Sequence, residues 1–371
     1  MTRLSAAATL GALAIVGVAS LTIEAHKPIT SPYTFAEDVL PILRDRCASC
    51  HSAGGPAPMA LTTAEETIPW GESIRLELVA GHMPPWSAVS GGRRLRHAEG
   101  LSARELNVLL TWVTGGTPPG DAKPAPPGAT TPEWPLGPPD ATLSLPEVGV
   151  AADQTEVTRE IVLVDAVRRP LRAVDLRPGT RSLVRSARIA VQSPVASRGN
   201  VENLVGLWVP GDRPVALPAG SAFAMPGDAH LLVTLRLKKT WEHEREAMTD
   251  RSTLALYFAQ PGAVTVAAHL TGNADVTGES LPAGTRILAV YPTAAAAGAT
   301  ITIDATPDGG LMQRVIEFRP QRGWERRYWL DEPIDLPPGT RIQTSVKFDA
   351  LPAPPPSGPL VVLNVVPAPP R

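Results

Sequence analysis

Hydrophobic residues recur with a helical period in the first third of the chain. The first predicted helix has an apolar stripe that leads straight into Cys47. The stripe is formed by Phe35, Val39, Leu40, Ile42 and Leu43. A second helix is predicted over residues 63–79, with Thr62 or Thr63 as its N-cap. A third is predicted from Ser102, with Glu105 as its capping-box partner. These patterns predict a small all-α domain over residues 35–120.

The helical period disappears in a proline-rich stretch that follows this domain. Nine prolines lie between Thr117 and Asp140, with almost no apolar periodicity. Residues 121–140 are therefore predicted to form a semi-rigid linker, partly in the polyproline conformation. An ordered strap that drapes over one domain is the alternative interpretation.

Short β-type runs dominate the chain from residue 141 onward. Pro-Gly, Pro-Ala-Gly and Asp-Gly turns separate them, as is typical of β-sandwiches. We predict two jelly-roll-type sandwiches, over residues 141–265 and 266–371. The predicted fold class is α + β multidomain, with a small all-α domain followed by an all-β module.

The first 25 residues have the outline of a secretory signal. Arg3 supplies one positive charge, and a largely apolar run with small residues follows it. Residues 1–25 are therefore predicted to be a signal peptide or, as the alternative, an uncleaved N-terminal anchor in the membrane. The expected location is the periplasm or another exported compartment.

Charge and cysteine content narrow the possible functions. The chain has 371 residues and a formal net charge of −2, so a polyanion-binding surface and a nucleic-acid partner are not expected. Only two cysteines occur, Cys47 and Cys50, and they lie in one short motif. No cysteine is left over for another disulfide.

That motif is Cys47-Ala-Ser-Cys50-His51, at the end of the first predicted helix. Two cysteines one helical turn apart can form thioethers with the vinyl groups of one haem, and the adjacent imidazole can bind the iron as proximal ligand. A redox dithiol or half of a zinc site are the alternatives. A second Cys/His pair for zinc and a thioredoxin-like βαβ pattern are both missing from the sequence. One covalent haem c is therefore predicted.

The sixth iron ligand is predicted to be Met83, in the segment Gly-His-Met-Pro-Pro-Trp after the second helix. A Met-Pro-Pro turn can hold a thioether over the distal face of the haem. His82, Met59 and an open site are the alternatives. Trp86 and Trp112 are predicted to pack around the haem.

Residues 37–120 resemble the class I cytochrome c fold. The later part is similar to the copper type II, ascorbate-dependent monooxygenases, a family that includes peptidylglycine hydroxylase. Bacterial chains that join the two modules share several segments with this one. The segments are Arg-Asp-Arg-Cys-Ala-Ser-Cys-His at 44–51, Gly-Pro-Ala-Pro-Met at 55–59, His-Met-Pro-Pro-Trp at 82–86, Asp-Arg-Ser at 250–252 and the stretch 281–291. The resemblance is weaker after residue 140.

The copper chemistry of that family needs imidazoles, which the matching positions lack. In place of the family's histidines stand Arg185, Ser186, Arg236, Thr293 and Ala295, and the family's late methionine has no counterpart. An arginine cannot donate a lone pair to copper at neutral pH. The remaining histidines of this part are interpreted as surface residues; they are His230, His243 and His269. A β module that has lost its metals is therefore expected.

Single-electron transfer by an exported c-type cytochrome is the leading functional hypothesis. Its β module would act as a docking domain or scaffold, and its partner would be another redox protein. The alternative is a copper-dependent monooxygenase that receives electrons from the haem, and the sequence favours a non-enzymatic role over it. An interaction subunit whose haem is secondary is a third hypothesis.

Overall fold

The computed structural model shows helices near the N-terminus and several β-sheets after them, with far more strand than helix. The predicted signal segment and the central part of the predicted linker lie outside the described residues. Within the described part, no helix is long and apolar enough to cross a membrane. The structure describes residues 30–89, 93–121, 132–164, 167–192, 204–271, 279–281, 284–293, 299–321, 323–348 and 360–368.

The first predicted helix is present and leads into the cysteine motif. It starts as a π-helical turn, Phe35–Val39, and continues as α1, Leu40–Arg46. The Thr34 side chain accepts a hydrogen bond from the backbone of the first turn and so caps its start. Pro41 has no amide hydrogen, so the regular α-helical ladder cannot begin before it, which accounts for the wider first turn.

The second predicted helix is present in three pieces. They are α2, Ala64–Thr67, a 3₁₀ turn, Ile68–Trp70, and α3, Gly71–Val79. Thr63 and Glu66 form a capping box, which confirms one of the two predicted caps. The sequence predicted one continuous helix, whereas Pro69, which lacks an amide hydrogen, lies in the 3₁₀ turn that interrupts it.

The third predicted helix is α4, Ala103–Thr114, and its capping box between Ser102 and Glu105 is confirmed. Trp112 is fully buried where this helix meets the π turn, with its ring 6.0 Å from that of Phe35. The helices share one hydrophobic core, whose buried members are Phe35, Val39, Leu43, Leu61, Leu78, Val108, Leu109 and Trp112.

A short strand between α3 and α4 joins the β part of the protein. This strand, β1 (Ala88–Val89), pairs antiparallel with β17 (Gln313–Phe318). The Trp86 ring packs edge-on against Tyr328. The sequence pattern between residues 35 and 120 indicated helix alone, and two residues are too few to show a strand period. Trp86, which was predicted to pack around a haem, thus contacts the β part of the protein.

The first sheet pair consists of two sheets that bury one core between them. Both sheets contribute apolar side chains to that core, for example Leu235 from one and Leu256 from the other. The four-stranded sheet has the order β4 (Glu156–Leu163), β9 (His230–Lys238), β6 (Val184–Gln192) and β7 (Leu204–Trp208). The three-stranded sheet has the order β2 (Ala141–Ser144), β11 (Thr253–Phe258) and β5 (Leu171–Arg177). Two small ladders flank them, β10 (Met248–Asp250) with β3 (Val148–Val150) and β12 (Val264–Thr265) with β8 (Ser221–Ala222).

The end of the predicted linker lies against the first sheet pair. Trp134 is buried with Ala173, Ala255 and Tyr257, and the Tyr257 hydroxyl donates a hydrogen bond to the carbonyl of Gly137 at 3.0 Å. Residues 132–140 therefore form an ordered strap, as in the alternative interpretation. Residues 122–131 of the linker lie outside the described part.

The second sheet pair follows with a core of its own. Its five-stranded sheet has the order β1, β17, β16 (Ala299–Thr306), β19 (Arg341–Phe348) and β14 (Glu279–Ser280). Its four-stranded sheet has the order β13 (Ala267–Thr271), β20 (Val361–Pro367), β15 (Thr285–Pro292) and β18 (Tyr328–Leu336). The two sheet pairs and the helices meet along the segment that precedes β18.

Candidate haem site

The cysteine motif forms a turn that continues directly from α1. The amide of Cys47 donates a hydrogen bond to the carbonyl of Leu43, and the amides of Cys50 and His51 both donate to the carbonyl of Cys47. Both cysteines are free thiols and both are partly buried. The structure therefore brings three of the four predicted site residues together in one turn.

Burial makes both thiols hard to ionise. The pKa of Cys47 is raised to about 12, by burial first and then by the neighbouring Cys50. Burial also raises the pKa of Cys50. Reactive cysteines of disulfide oxidoreductases have a lowered pKa, because the thiolate is the nucleophile. The environment of these two thiols is therefore opposite to that of a redox dithiol.

The imidazole of His51 is held in one orientation by a backbone carbonyl. Its Nδ1 lies 3.2 Å from the carbonyl oxygen of Met59. A carbonyl oxygen can only accept, so Nδ1 must carry the proton and Nε2 keeps its lone pair. Burial lowers the pKa of His51, which favours the neutral ring that a metal requires.

Met59, one of the alternatives for the distal ligand, lies next to His51. Its backbone carbonyl supports the imidazole, and its side chain packs against the helical core.

Met83 lies on a separate turn that follows α3. Gly81, with φ of +70°, ends the helix, and its carbonyl accepts a hydrogen bond from the Gln321 side chain at 3.0 Å. The His82 imidazole lies 3.1 Å from the Glu77 carboxylate and is exposed. The second sheet pair thus anchors the turn that carries Met83.

An uncovered apolar strip runs along α3 to this turn. Leu76 is 53% exposed, Val79 is 65% exposed and Met83 is 37% exposed. Their spacing of three residues places Leu76 and Val79 on one side of the helix, and Met83 follows in the turn after it. A porphyrin ring is apolar on both faces, so the strip fits such a group, as do the free thiols and the oriented imidazole.

Three of the positions expected to match copper ligands lie close together, but their chemistry is wrong for a metal. Ser186 and Arg236 are cross-strand partners on β6 and β9. Arg236 donates a hydrogen bond to the Glu156 carboxylate at 2.5 Å. Burial, followed by the charge of Arg236, lowers the pKa of Arg185 to about 10, so Arg185 is still protonated at neutral pH. Two guanidinium groups and a hydroxyl do not fit copper.

The other residues considered for copper are dispersed. Thr293 is buried at the end of β15, where its amide donates to the carbonyl of Leu360, and Ala295 lies outside the described residues. The remaining histidines are half-buried and lie on three different elements; they are His230 on β9, His243 in a 3₁₀ turn and His269 on β13. Across the described residues, no group of three or more His, Cys, Asp or Glu side chains could hold a metal ion.

The turn that carries the motif also touches the first sheet pair, a contact that the sequence did not predict. The Cys50 sulfur lies 3.6 Å from the carbonyl oxygen of Pro210. Arg181 donates a hydrogen bond to the carbonyl of Ser49 at 3.3 Å. The first contact places the motif against the loop that follows β7, and the second places it against the loop between β5 and β6.

A buried ion cluster lies next to this loop. Arg326 is 3% exposed at its side chain, and it binds the carboxylates of Glu99 at 2.8 Å and Asp212 at 3.2 Å. Arg327 donates to the carbonyls of Leu204 and Val205. Arg326 is thus held by ion pairs, whereas Arg327 is enclosed by the rings of Phe223, Tyr291 and Trp329.

Comparisons with known proteins identify no family for this chain. No protein-family model matches it, and no curated protein matches it. A turret protein of Sulfolobus turreted icosahedral virus is 14% identical, over 61% of this chain and 99% of that one, with a TM-score of 0.19. A Paenibacillus xanthan lyase is 11% identical, over 68% of this chain and 28% of that one, with a TM-score of 0.16.

Proposed function

We propose that this protein is an exported c-type cytochrome that transfers single electrons through one covalent haem. The single observation that carries the proposal is the turn at Cys47, Cys50 and His51, with two un-ionised thiols and an imidazole whose Nδ1 is held by a carbonyl. The sequence spacing and the local geometry both support this proposal.

When bound, the haem supplies an iron that gains or loses one electron. Cys47 and Cys50 would hold the porphyrin through two thioethers, each formed by addition of one S–H across one vinyl group, so that no group leaves. The Met59 carbonyl holds the imidazole, so that Nε2 of His51 would bind the iron. Met83 would supply its sulfur as the second axial ligand proposed from the protein. Leu76 and Val79 would cover the porphyrin and exclude water.

The architecture proposed with this function is a class I cytochrome c domain over residues 35–120 and two jelly-roll sandwiches over residues 141–265 and 266–371. The β module would serve as a docking domain for another redox protein. The periplasm is the proposed location, reached through residues 1–25 as a signal peptide or anchor, since haem attachment of this kind accompanies export.

Mass spectrometry of the full chain, produced with the haem maturation machinery, tests the proposal. We expect a mass increase of one haem that survives acid–acetone extraction, because two thioethers withstand it. Cys50→Ala should leave at most one linkage and impair maturation. Haem that is extracted completely, or no haem at all, would overturn the proposed function.

A further inference from the structure

Three parts of the protein meet at the ion cluster of Glu99, Asp212 and Arg326. Glu99 precedes α4, Asp212 lies in the loop after β7, and Arg326 precedes β18. The Arg326 guanidinium also lies over the Trp86 ring, with its carbon 5.3 Å from the ring centroid. The cluster therefore has two carboxyl groups and one fixed cation in a largely buried setting.

This composition leaves one negative charge without a cation when both carboxyl groups are ionised. Burial raises the pKa of Asp212 to about 7, Arg326 opposes that rise, and Glu99 adds to it. Asp175 on β5 faces the same group and raises the pKa further. The other charged or titratable side chains that line this space are Arg96, His97, Arg213 and Arg327.

The cluster is tied to the cysteine motif by a very short path. The carbonyl of Pro210 faces the Cys50 sulfur at 3.6 Å, and Asp212 is only two residues further along the chain. The Asp212 amide donates to the carbonyl of Val209 at 3.0 Å, which closes the loop into a tight turn. The charges of Glu99 and Arg326 both act on the ionisation of Cys50. One short loop therefore connects the cluster to the proposed haem attachment point.

A cavity gives the cluster room for water. Its volume is about 60 Å³, and Glu99, Asp212 and Arg326 all line it. That volume is large enough to hold water. The Asp212 side chain lines the cavity and is 20% exposed, so water can reach its carboxyl group.

We propose that Glu99, Asp212 and Arg326 form a proton-binding site that is coupled to the haem. Reduction of the haem by one electron from a redox partner would be accompanied by uptake of one solvent proton at Asp212, and transfer of that electron to a second redox partner would return the proton to solvent. The physical reason is that the added electron makes the surroundings more negative, which favours the protonated carboxyl. This inference rests on the proposed function, and it adds proton coupling to electron transfer.

Spectroelectrochemical titration of the full-length haem protein from pH 5 to pH 9 tests the inference. The midpoint potential should fall as the pH rises through a window that begins near pH 7. One proton per electron corresponds to a slope that approaches about 59 mV per pH unit. Asp212→Asn keeps the size of the side chain but cannot ionise, so its potential should be nearly independent of pH in that window.

Two further variants make the test specific. Glu99→Gln removes a neighbouring negative charge, so the window should move to lower pH. Asp304→Asn is the matched control, because Asp304 is buried and paired with Arg314 at 2.6 Å, far from the cluster in sequence and on a different strand. This variant should leave the pH dependence of the potential unchanged.

A pH-independent potential in the unaltered protein, or a slope that survives Asp212→Asn and disappears in His97→Gln, would overturn the inference. A chain without covalent haem would instead overturn the proposed function.

Discussion

Cys50 and Pro210 are separated by 160 residues in the sequence, yet the sulfur of one lies 3.6 Å from the carbonyl oxygen of the other. This contact closes one edge of the cysteine motif with a loop of the first sheet pair. A haem attached at Cys50 would therefore have part of its edge covered by the β module. In the proposed function, a redox partner would then approach through another edge.

Gly211, in the same loop, is where this contact can be disturbed. It has φ of +88°, and a Cβ built there would lie 2.8 Å from the Ser49 hydroxyl oxygen. Gly211→Ala should lower the free energy of unfolding by about 1–3 kcal/mol, since backbone strain and a steric clash add together. Thermal and urea denaturation of the haem protein measure this loss.

Gly220→Ala is the matched control for Gly211. Its φ is +80°, but nothing lies within 4 Å of the Cβ position, so only the backbone strain remains. We expect a smaller loss, of about 1 kcal/mol. Equal losses in both variants would contradict the close packing of the loop against the motif.

Asp175 on β5 should make stability depend on pH. Burial raises its pKa to about 6, while its ordinary value is 3.8. Because the folded-state value is the higher one, the stability from this group is fully present below about pH 4 and is lost as the pH rises through about 6. Asp175→Asn should therefore raise the free energy of unfolding at pH 8, relative to pH 4, by up to about 3 kcal/mol.

Asp140→Asn provides the comparison for this effect. Asp140 is exposed and accepts a hydrogen bond from the Phe258 amide at 2.7 Å, as Asp175 accepts one from the Leu176 amide at 2.8 Å. Urea denaturation at both pH values should show no gain in the free energy of unfolding of Asp140→Asn at pH 8 relative to pH 4. If Asp175→Asn behaves in the same way, the carboxyl is not held in a desolvated site.

Local sequence chemistry predicted the helix starts well. At the start of a helix, a threonine or serine followed three residues later by glutamate accepts hydrogen bonds from the unpaired backbone amides. Thr63 and Ser102 therefore cap their helices as expected. The interruption at Pro69 also has a local cause, and proline's missing amide could have indicated it.

Long-range contacts were beyond the reach of sequence patterns. The strand β1 has only two residues, so no period could reveal it. Arg326 and Glu99 are 227 residues apart, and nothing in the local sequence around either predicts that they meet. The same holds for the Cys50–Pro210 contact, so the sequence indicated the haem motif but not the part of the β module that touches it.

Met83 provides a test of the distal ligand. If its sulfur binds the iron, the oxidised protein should show the weak near-infrared sulfur-to-iron band, and Met83→Ala should remove that band and lower the midpoint potential. Met59→Ala is the control, since the backbone of Met59 and not its sulfur supports His51. A band that persists in Met83→Ala but disappears in Met59→Ala would show that the distal assignment is wrong.

Copper should bind only weakly to the full-length protein. The charge of Arg236 lowers the pKa of Arg185 at the positions where copper-binding imidazoles were expected, and Arg236 already binds Glu156. Two positive charges repel Cu²⁺ and offer it no lone pair. Calorimetric titration should therefore show no stoichiometric binding below the micromolar range, and the melting temperature should stay the same with copper present.

The double variant Arg185→His with Arg236→His is the matched comparison, which should bind copper more tightly because it places imidazoles on neighbouring strands. Sub-micromolar binding of two copper ions by the unaltered chain, together with ascorbate-dependent oxygen consumption, would favour the monooxygenase function instead.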